Sequence, residues 1–123
     1  GVFTVSCAGG ARANVTLPVS RHAVYGPCVK RVVDGLAGGH SGVEIDKGRA
    51  NANKVMGEFL SEVKKLMPLC LTKFSGGSKD NAIPRSCSVT LVAMGSHIDR
   101  INDVAEELEK EIGRYMTSSS EWL

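Results

Sequence analysis

The sequence has few aromatic residues, no long apolar run and none of several short motifs that mark common catalytic sites. Aromatic residues make up 5% of its 123 residues, and no apolar run approaches the roughly 20 residues needed to span a bilayer. The motifs GxxxxGK(S/T), GxGxxG and GxSxG are absent, so nothing indicates a phosphate-binding loop, a dinucleotide site or a serine-hydrolase elbow. The first residues also lack the basic and apolar segments of a signal peptide. We expect no membrane partner.

Charge and the spacing of cysteine and histidine narrow the possible partners further. Fifteen Lys and Arg against 13 Asp and Glu give a net charge of +2, too balanced for a phosphate-binding surface, so no nucleic acid is expected. Cys7, Cys28, Cys70 and Cys87 never reach CxxC spacing, and the three histidines show neither HxxxH nor HxH spacing. We expect small buried cysteines, a reducing cytoplasmic location and no metal site within this chain.

Hydrophobic periodicity predicts two helices. From Arg49 to Met67 the apolar residues recur at three- and four-residue steps, and Pro68 then ends the helix. A second period begins at Ser96, a suitable N-cap, and continues through Tyr115. Each predicted helix has one apolar face and therefore needs a surface to cover.

Apolar runs between glycine pairs predict five strands. They are Val2–Cys7, Val15–Val19, Val29–Leu36, Leu69–Phe74 and Ser86–Met94. The order of three strands, a helix, two strands and a helix predicts an α+β fold. It is a two-layer sandwich in which a mostly antiparallel sheet carries both helices on one face. We treat residues 1–123 as one domain, of ferredoxin-like type.

Two loops carry the side chains best suited to chemistry. The first, Gly38–Gly42 (GGHSG), presents His40, whose imidazole either donates a hydrogen bond to an oxyanion or carboxylate or is an ordinary exposed side chain. The second presents Asn81 in a turn and Arg85 at the start of a strand. Arg85 either binds a carboxylate through two hydrogen bonds or pairs with a surface acid. The residues alone leave both choices open.

The same loops carry a family resemblance. The motifs Gly38–Gly42 (GGHSG), Gly48–Lys54 (GRANANK) and Asn81–Arg85 (NAIPR) resemble, in that order, the lid (dimerisation) domain of bacterial aminoacyl-histidine dipeptidases. These are carnosinase-like Xaa-His dipeptidases of the co-catalytic zinc aminopeptidase and aminoacylase superfamily. Cys7–Gly10 is similar to the segment that follows the family's metal-binding carboxylate. The resemblance extends through most of the chain.

The resemblance implies a division of labour within a longer parent protein. A separate catalytic domain would hold two zinc ions and hydrolyse dipeptides such as β-alanyl-histidine, while the lid closes over the substrate. By motif position, His40 would polarise the scissile carbonyl and stabilise the oxyanion, in its own subunit or across a homodimer. Asn81 and Arg85 would contact the C-terminal carboxylate of the dipeptide. Residues 1–123 would then be a fragment excised from a two-domain metallopeptidase, inactive alone and binding no zinc itself.

A second hypothesis belongs to another class of function. The chain would be a stand-alone ferredoxin-like module that binds a ligand or oligomerises through its open sheet, without catalysis. One departure from the family pattern also bears on Arg85. Relatives that bind the carboxylate with a lid arginine carry it on a later strand, and here the strand after Pro84, residues 86–91, contains no arginine.

Overall fold

The computed structural model describes residues 1–3, 5 and 9–119. None of the helices among these residues combines the length and the hydrophobicity of a membrane-spanning segment. The described residues form five strands and two helices, with a short 3-10 turn at Ile45–Lys47. They are β1 (Cys28–Val33), β2 (Gly39–His40), α1 (Ala52–Leu66), β3 (Leu71–Gly76), β4 (Ala82–Ile83), β5 (Cys87–Val92) and α2 (Ser96–Ser119).

The main sheet has three antiparallel strands in the order β1-β5-β3, and β2 and β4 form a separate antiparallel ribbon. Strand β5 lies in the centre of this sheet, and every second side chain along it is buried in the core. Cys87, Val89 and Leu91 point to the buried face and are 2% exposed or less, whereas Ser88 and Thr90 lie on the other face, half-buried. The three predicted strands that form this sheet are confirmed, with ends shifted by up to three residues.

Both helices lie on the apolar side of the main sheet. Helix α1 packs against β5, β1 and α2, and its buried stripe consists of Ala52, Met56, Phe59 and Val63. Ile101 of α2 completes the same core. Residues from a sheet and two helices thus form one apolar cluster, and the predicted α+β fold is confirmed.

Helix α1 begins three residues later than its apolar period predicts. The Asn51 side chain caps the helix by accepting hydrogen bonds from the backbone N–H groups of Asn53 at 2.9 Å and Lys54 at 3.3 Å. Arg49 therefore precedes the helix, and its side chain is directed to the loop that contains His40. At the other end, α1 ends at Leu66, which is 50% exposed.

The two N-terminal strand predictions, Val2–Cys7 and Val15–Val19, are wrong for the residues that the structure describes. Residues 1–3, 5 and 9–27 contain neither helix nor strand, and Val15, Leu17 and Val19 are 87%, 78% and 63% exposed. Alternation favours a strand only where a partner and an apolar surface are available, and no described strand pairs with this segment. Residues 4 and 6–8 lie outside the described residues.

The prediction of buried cysteines is confirmed for one of the three that are described. Cys87 is buried on β5, Cys70 is half-buried and Cys28 is exposed, and all three are free thiols. Cys7 lies outside the described residues. Burial raises the pKa of the Cys87 thiol, so this side chain stays protonated and acts as a small apolar residue.

Candidate functional site

The register of the main sheet places both candidate loops at one end of the molecule. Val33 at the end of β1 and Gly76 at the end of β3 both lie opposite Cys87, the first residue of β5. The loop after β1 and the loop between β3 and β5 therefore leave the sheet side by side. Their short strands β2 and β4 then pair, with His40 opposite Ala82.

Two further backbone hydrogen bonds join the loops to each other and to α1. The N–H of Ser41 donates to the carbonyl of Asn81 at 3.0 Å, and the N–H of Ala52 donates to the carbonyl of Pro84 at 3.0 Å. The first bond makes the His40 loop a neighbour of Asn81. The second ties the NAIPR motif to the start of the helix, so the site is held by three elements of the fold.

His40, Asn81 and Arg85, the three site residues predicted from the sequence, line one open cleft of about 690 Å³. Lys79 brings a second positive charge to the same cleft, and Asp34 brings a negative one. The sequence separates His40 from Arg85 by 45 positions, and the pairing of β2 with β4 brings them together. A cleft with an imidazole, an amide and two cations suits a small ligand that carries a carboxylate.

The loop itself fixes the tautomer of the His40 ring. Its Nδ1 accepts hydrogen bonds from the backbone N–H groups of Gly42 at 3.0 Å and Val43 at 3.1 Å. A nitrogen that accepts carries no proton, so the neutral ring carries its proton on Nε2. The Nε2–H group has no partner among the described residues. It is therefore available as a hydrogen-bond donor at the cleft.

Glu44 holds the backbone of this loop and was missed by sequence reasoning. Its Oε2 accepts the N–H of His40 at 2.7 Å, and its own N–H donates to the His40 carbonyl at 3.1 Å. Its Oε1 lies 3.2 Å from Arg49 Nη1 and 3.3 Å from Lys47 Nζ. These contacts, led by the hydrogen bond from the His40 backbone, lower the pKa of Glu44. The sequence alone carried no signal that marks this acid, because Asp46 lies in the same loop.

Two glycines of the GGHSG motif, Gly39 and Gly42, allow close contacts that a Cβ atom would crowd. A Cβ on Gly39 would lie 2.6 Å from Arg49 Nη1 and 2.7 Å from Glu44 Oε2, and its φ of +142° also favours glycine. A Cβ on Gly42 would lie 3.2 Å from Cε1 of His40. Because Gly39 has no side chain, the Glu44–Arg49 ion pair can lie against the backbone. Because Gly42 has none, the imidazole ring of His40 can lie beside it.

Arg85 is anchored at its stem and open at its end. Its Nε donates to the carbonyl of Leu36 at 3.1 Å. No Asp or Glu side chain in the described part of the chain lies within ion-pair distance of its guanidinium. The described residues therefore do not form the surface ion pair that was the alternative. The two terminal nitrogens remain available for a carboxylate. The Asn81 side chain is likewise exposed and without a hydrogen-bond partner in the described part of the chain.

The described residues offer no set of ligands for a metal ion. No three His, Cys, Asp or Glu side chains converge anywhere in residues 1–3, 5 and 9–113. The chemistry that this cleft can supply itself is hydrogen-bond donation from an imidazole and binding of a carboxylate by cations.

Comparisons with known proteins cover this site. A family model described as a peptidase dimerisation domain matches residues 33–118, which include His40, Asn81 and Arg85. The chain is 36% identical over 118 residues to the cytosol non-specific dipeptidase of Escherichia coli (strain K12), a match covering 91% of this chain and 24% of that protein. It is also similar to the crystal structure of aminoacylhistidine dipeptidase from Vibrio alginolyticus, with 38% identity and a TM-score of 0.66. That match covers 80% of this chain and 21% of the other. The chain thus spans about a quarter of the length of the curated relative.

Proposed function

Because the chain belongs to the peptidase dimerisation domain family, we propose that it is the lid of a dipeptidase that hydrolyses Xaa-His dipeptides. Support comes from the two relatives, which are named as dipeptidases, one of them an aminoacylhistidine dipeptidase. In this proposal the lid contacts the catalytic domain of a longer parent enzyme and closes over the dipeptide. The name of the Escherichia coli relative supports a cytoplasmic location.

The observation that carries the proposal is the tautomer of the neutral His40 ring, which is set by its hydrogen bonds. Two backbone N–H groups occupy Nδ1, and the proton on Nε2 is left as a donor on a residue that lines the cleft. When water adds to the scissile carbonyl of a dipeptide, its oxygen gains negative charge. A donor already held in place stabilises that charge without reorganisation. His40 is therefore the catalytic residue that this domain contributes.

Arg85 and Asn81 bind the C-terminal carboxylate of the dipeptide in this proposal. The guanidinium of Arg85 is held through its Nε, and its two terminal nitrogens are unpaired among the described residues, which suits two parallel hydrogen bonds to one carboxylate. Lys79 adds positive charge to the same cleft. The carboxylate would then hold the scissile bond at a fixed distance from His40.

The proposed zinc ions belong to the catalytic domain. The described residues of this chain supply no ligand set, so no step of the lid's own contribution passes through a metal. The 123-residue chain alone should accordingly hydrolyse no β-alanyl-histidine, even with added zinc. Turnover by the chain alone would overturn the division of labour.

Replacement of His40 in the parent enzyme tests the proposal. We expect His40→Ala to lower kcat for β-alanyl-histidine by roughly 10²- to 10³-fold, the effect of losing one oxyanion donor, with a much smaller change in KM. His22→Ala is the matched control because His22 is exposed in the segment without regular structure. An unchanged kcat for His40→Ala would show that His40 is an ordinary loop residue without a catalytic role.

A homodimer is the second part of the proposal, and the description of the matching family favours it. Analytical ultracentrifugation of the parent enzyme should give twice the subunit mass. Mixed dimers of His40→Ala subunits with subunits disabled in the catalytic domain then show where His40 acts. Recovery of activity in the mixture places His40 across the dimer, and no recovery places it within its own subunit.

A further inference from the structure

We infer that Glu44, together with Arg49, is a positioning residue that holds His40 where its Nε2–H can reach the oxyanion. This role rests on the proposed function of His40. Glu44 touches no substrate in this assignment and acts only through the loop. The assignment comes from the pattern of contacts around residues 38–44.

Glu44 bonds both polar groups of the His40 backbone. Its carboxylate accepts the His40 N–H at 2.7 Å, and its N–H donates to the His40 carbonyl at 3.1 Å. The ring is then fixed by the residues between them, because Gly42 and Val43 donate to Nδ1. Five consecutive residues thus form a closed turn around one imidazole. The carboxylate is the one side chain, other than His40 itself, that takes part in these bonds.

Arg49 connects this turn to the rest of the fold. Its Nη1 lies 3.2 Å from Glu44 Oε1 and donates to the Gly38 carbonyl at 2.7 Å. Arg49 and Glu44 are 24% and 28% exposed, whereas Lys47, the other cation on Glu44, is 52% exposed. The half-buried pair is screened less by solvent. Since Arg49 lies only two residues before Asn51, the N-cap of α1, the pair fixes the loop relative to the helix.

Distance explains why this positioning matters for rate. A donor stabilises an oxyanion only within about 2.7–3.1 Å of it, and a displacement of about 1 Å costs on the order of 10²-fold in rate. Without the Glu44 carboxylate, the His40 N–H and the Arg49 guanidinium lose their shared acceptor. The turn can then relax while His40 remains present.

A double-mutant cycle in the parent enzyme tests the inference. Glu44→Ala should lower kcat for β-alanyl-histidine by about 10- to 100-fold with KM changed less than about twofold. In the His40→Ala background the same change should lower kcat by less than about twofold, because the group being positioned is gone. Glu44→Gln, which keeps an acceptor for the His40 N–H, should retain more activity than Glu44→Ala. A thermal melt of each variant identifies any that fail to fold, and Glu44→Gln then takes the place of Glu44→Ala in the cycle.

Asp46→Ala is the matched control, since Asp46 is an exposed acid of the same loop with no ion pair among the described residues. It should leave kcat unchanged. If His40→Ala lowers kcat but the Glu44 variants do not, or if their effect persists undiminished in the His40→Ala background, the positioning role is wrong and the proposed function stands. If His40→Ala itself leaves kcat unchanged, the proposed function fails and the positioning role fails with it.

Discussion

The side chain of Arg85 lies in the space that a Cβ atom on Gly38 would fill. Gly38 also adopts a φ of +66°, which favours glycine, and its carbonyl accepts a hydrogen bond from Arg49. Gly38 thus contacts two arginines, Arg85 in the cleft and Arg49 beside the His40 loop. Its missing Cβ sets the path of Arg85, and its carbonyl helps to hold the loop of His40.

Gly38→Ala should therefore impair substrate binding in the parent enzyme. The added methyl group displaces the Arg85 stem, so we expect KM for the dipeptide to rise by more than kcat falls. Stability should fall by more than the roughly 1–2 kcal/mol that a left-handed conformation costs an L residue. Steady-state kinetics and thermal denaturation measure the two effects.

Gly35→Ala separates backbone strain from the contact with Arg85. Gly35 has a φ of +77°, but no atom lies within 4 Å of the position that an added Cβ would take. The variant should therefore lose about the same amount of stability to backbone strain, with KM unchanged. Equal KM values for the two alanine variants would show that Arg85 does not depend on Gly38.

Glu44 should contribute to stability in a pH-dependent way. Its folded pKa lies below the ordinary value of 4.5, chiefly because its carboxylate accepts the His40 N–H. A group with a depressed folded pKa stabilises the protein above its unfolded pKa, and this contribution is lost as pH falls through the folded pKa. The Tm difference between wild type and Glu44→Gln should be constant above about pH 5 and shrink below it. A difference that widens on acidification would contradict this assignment.

Leu91→Ala should strongly destabilise the fold. Leu91 is 1% exposed and lies on β5, the central strand of the sheet, so truncation leaves a cavity and should cost about 2–5 kcal/mol in free energy of unfolding. Leu71 lies opposite it on the edge strand β3 and is 45% exposed, so Leu71→Ala should cost less than about 1.5 kcal/mol. Urea denaturation measures both, and similar costs would place the core elsewhere.

The thiols should differ sharply in reactivity. Cys28 is exposed, whereas Cys87 is 2% exposed and burial raises its pKa, so little thiolate forms there at neutral or mildly basic pH. Iodoacetamide at about pH 8, near the ordinary pKa of a free thiol, should label Cys28 in the native protein and Cys87 only after unfolding. Site-specific mass spectrometry reads out the labelling, and rapid native modification of Cys87 would show that β5 is open to solvent.

The sequence predicted the parts of the fold in which local pattern and burial agree. The alternation around Val89 and Leu91 and the helical period around Met56 both reflect one-sided burial, and the structure has these elements. The pattern at Val15 and Leu17 is just as regular but finds no partner strand among the described residues. A single sequence does not state whether an apolar surface is available to cover a strand.

The site was predicted from its motifs, and its internal geometry was not. The structure brings His40, Asn81 and Arg85 to one cleft, and their chemical roles stay predictions. The tautomer of His40 and the place of Glu44 depend on hydrogen bonds that exist only once the loop has closed. Nothing in the spacing of charged residues distinguishes Glu44 from its neighbour Asp46.

The alignment of Val33 and Gly76 with Cys87 restricts how the length of this chain can change. Successive residues of a strand point to opposite faces, so inserting one residue within β5 would turn its buried side chains outward and its polar ones inward. It would also shift the position of the NAIPR loop relative to the GGHSG loop. Insertions and deletions within this strand should be tolerated only in pairs of residues.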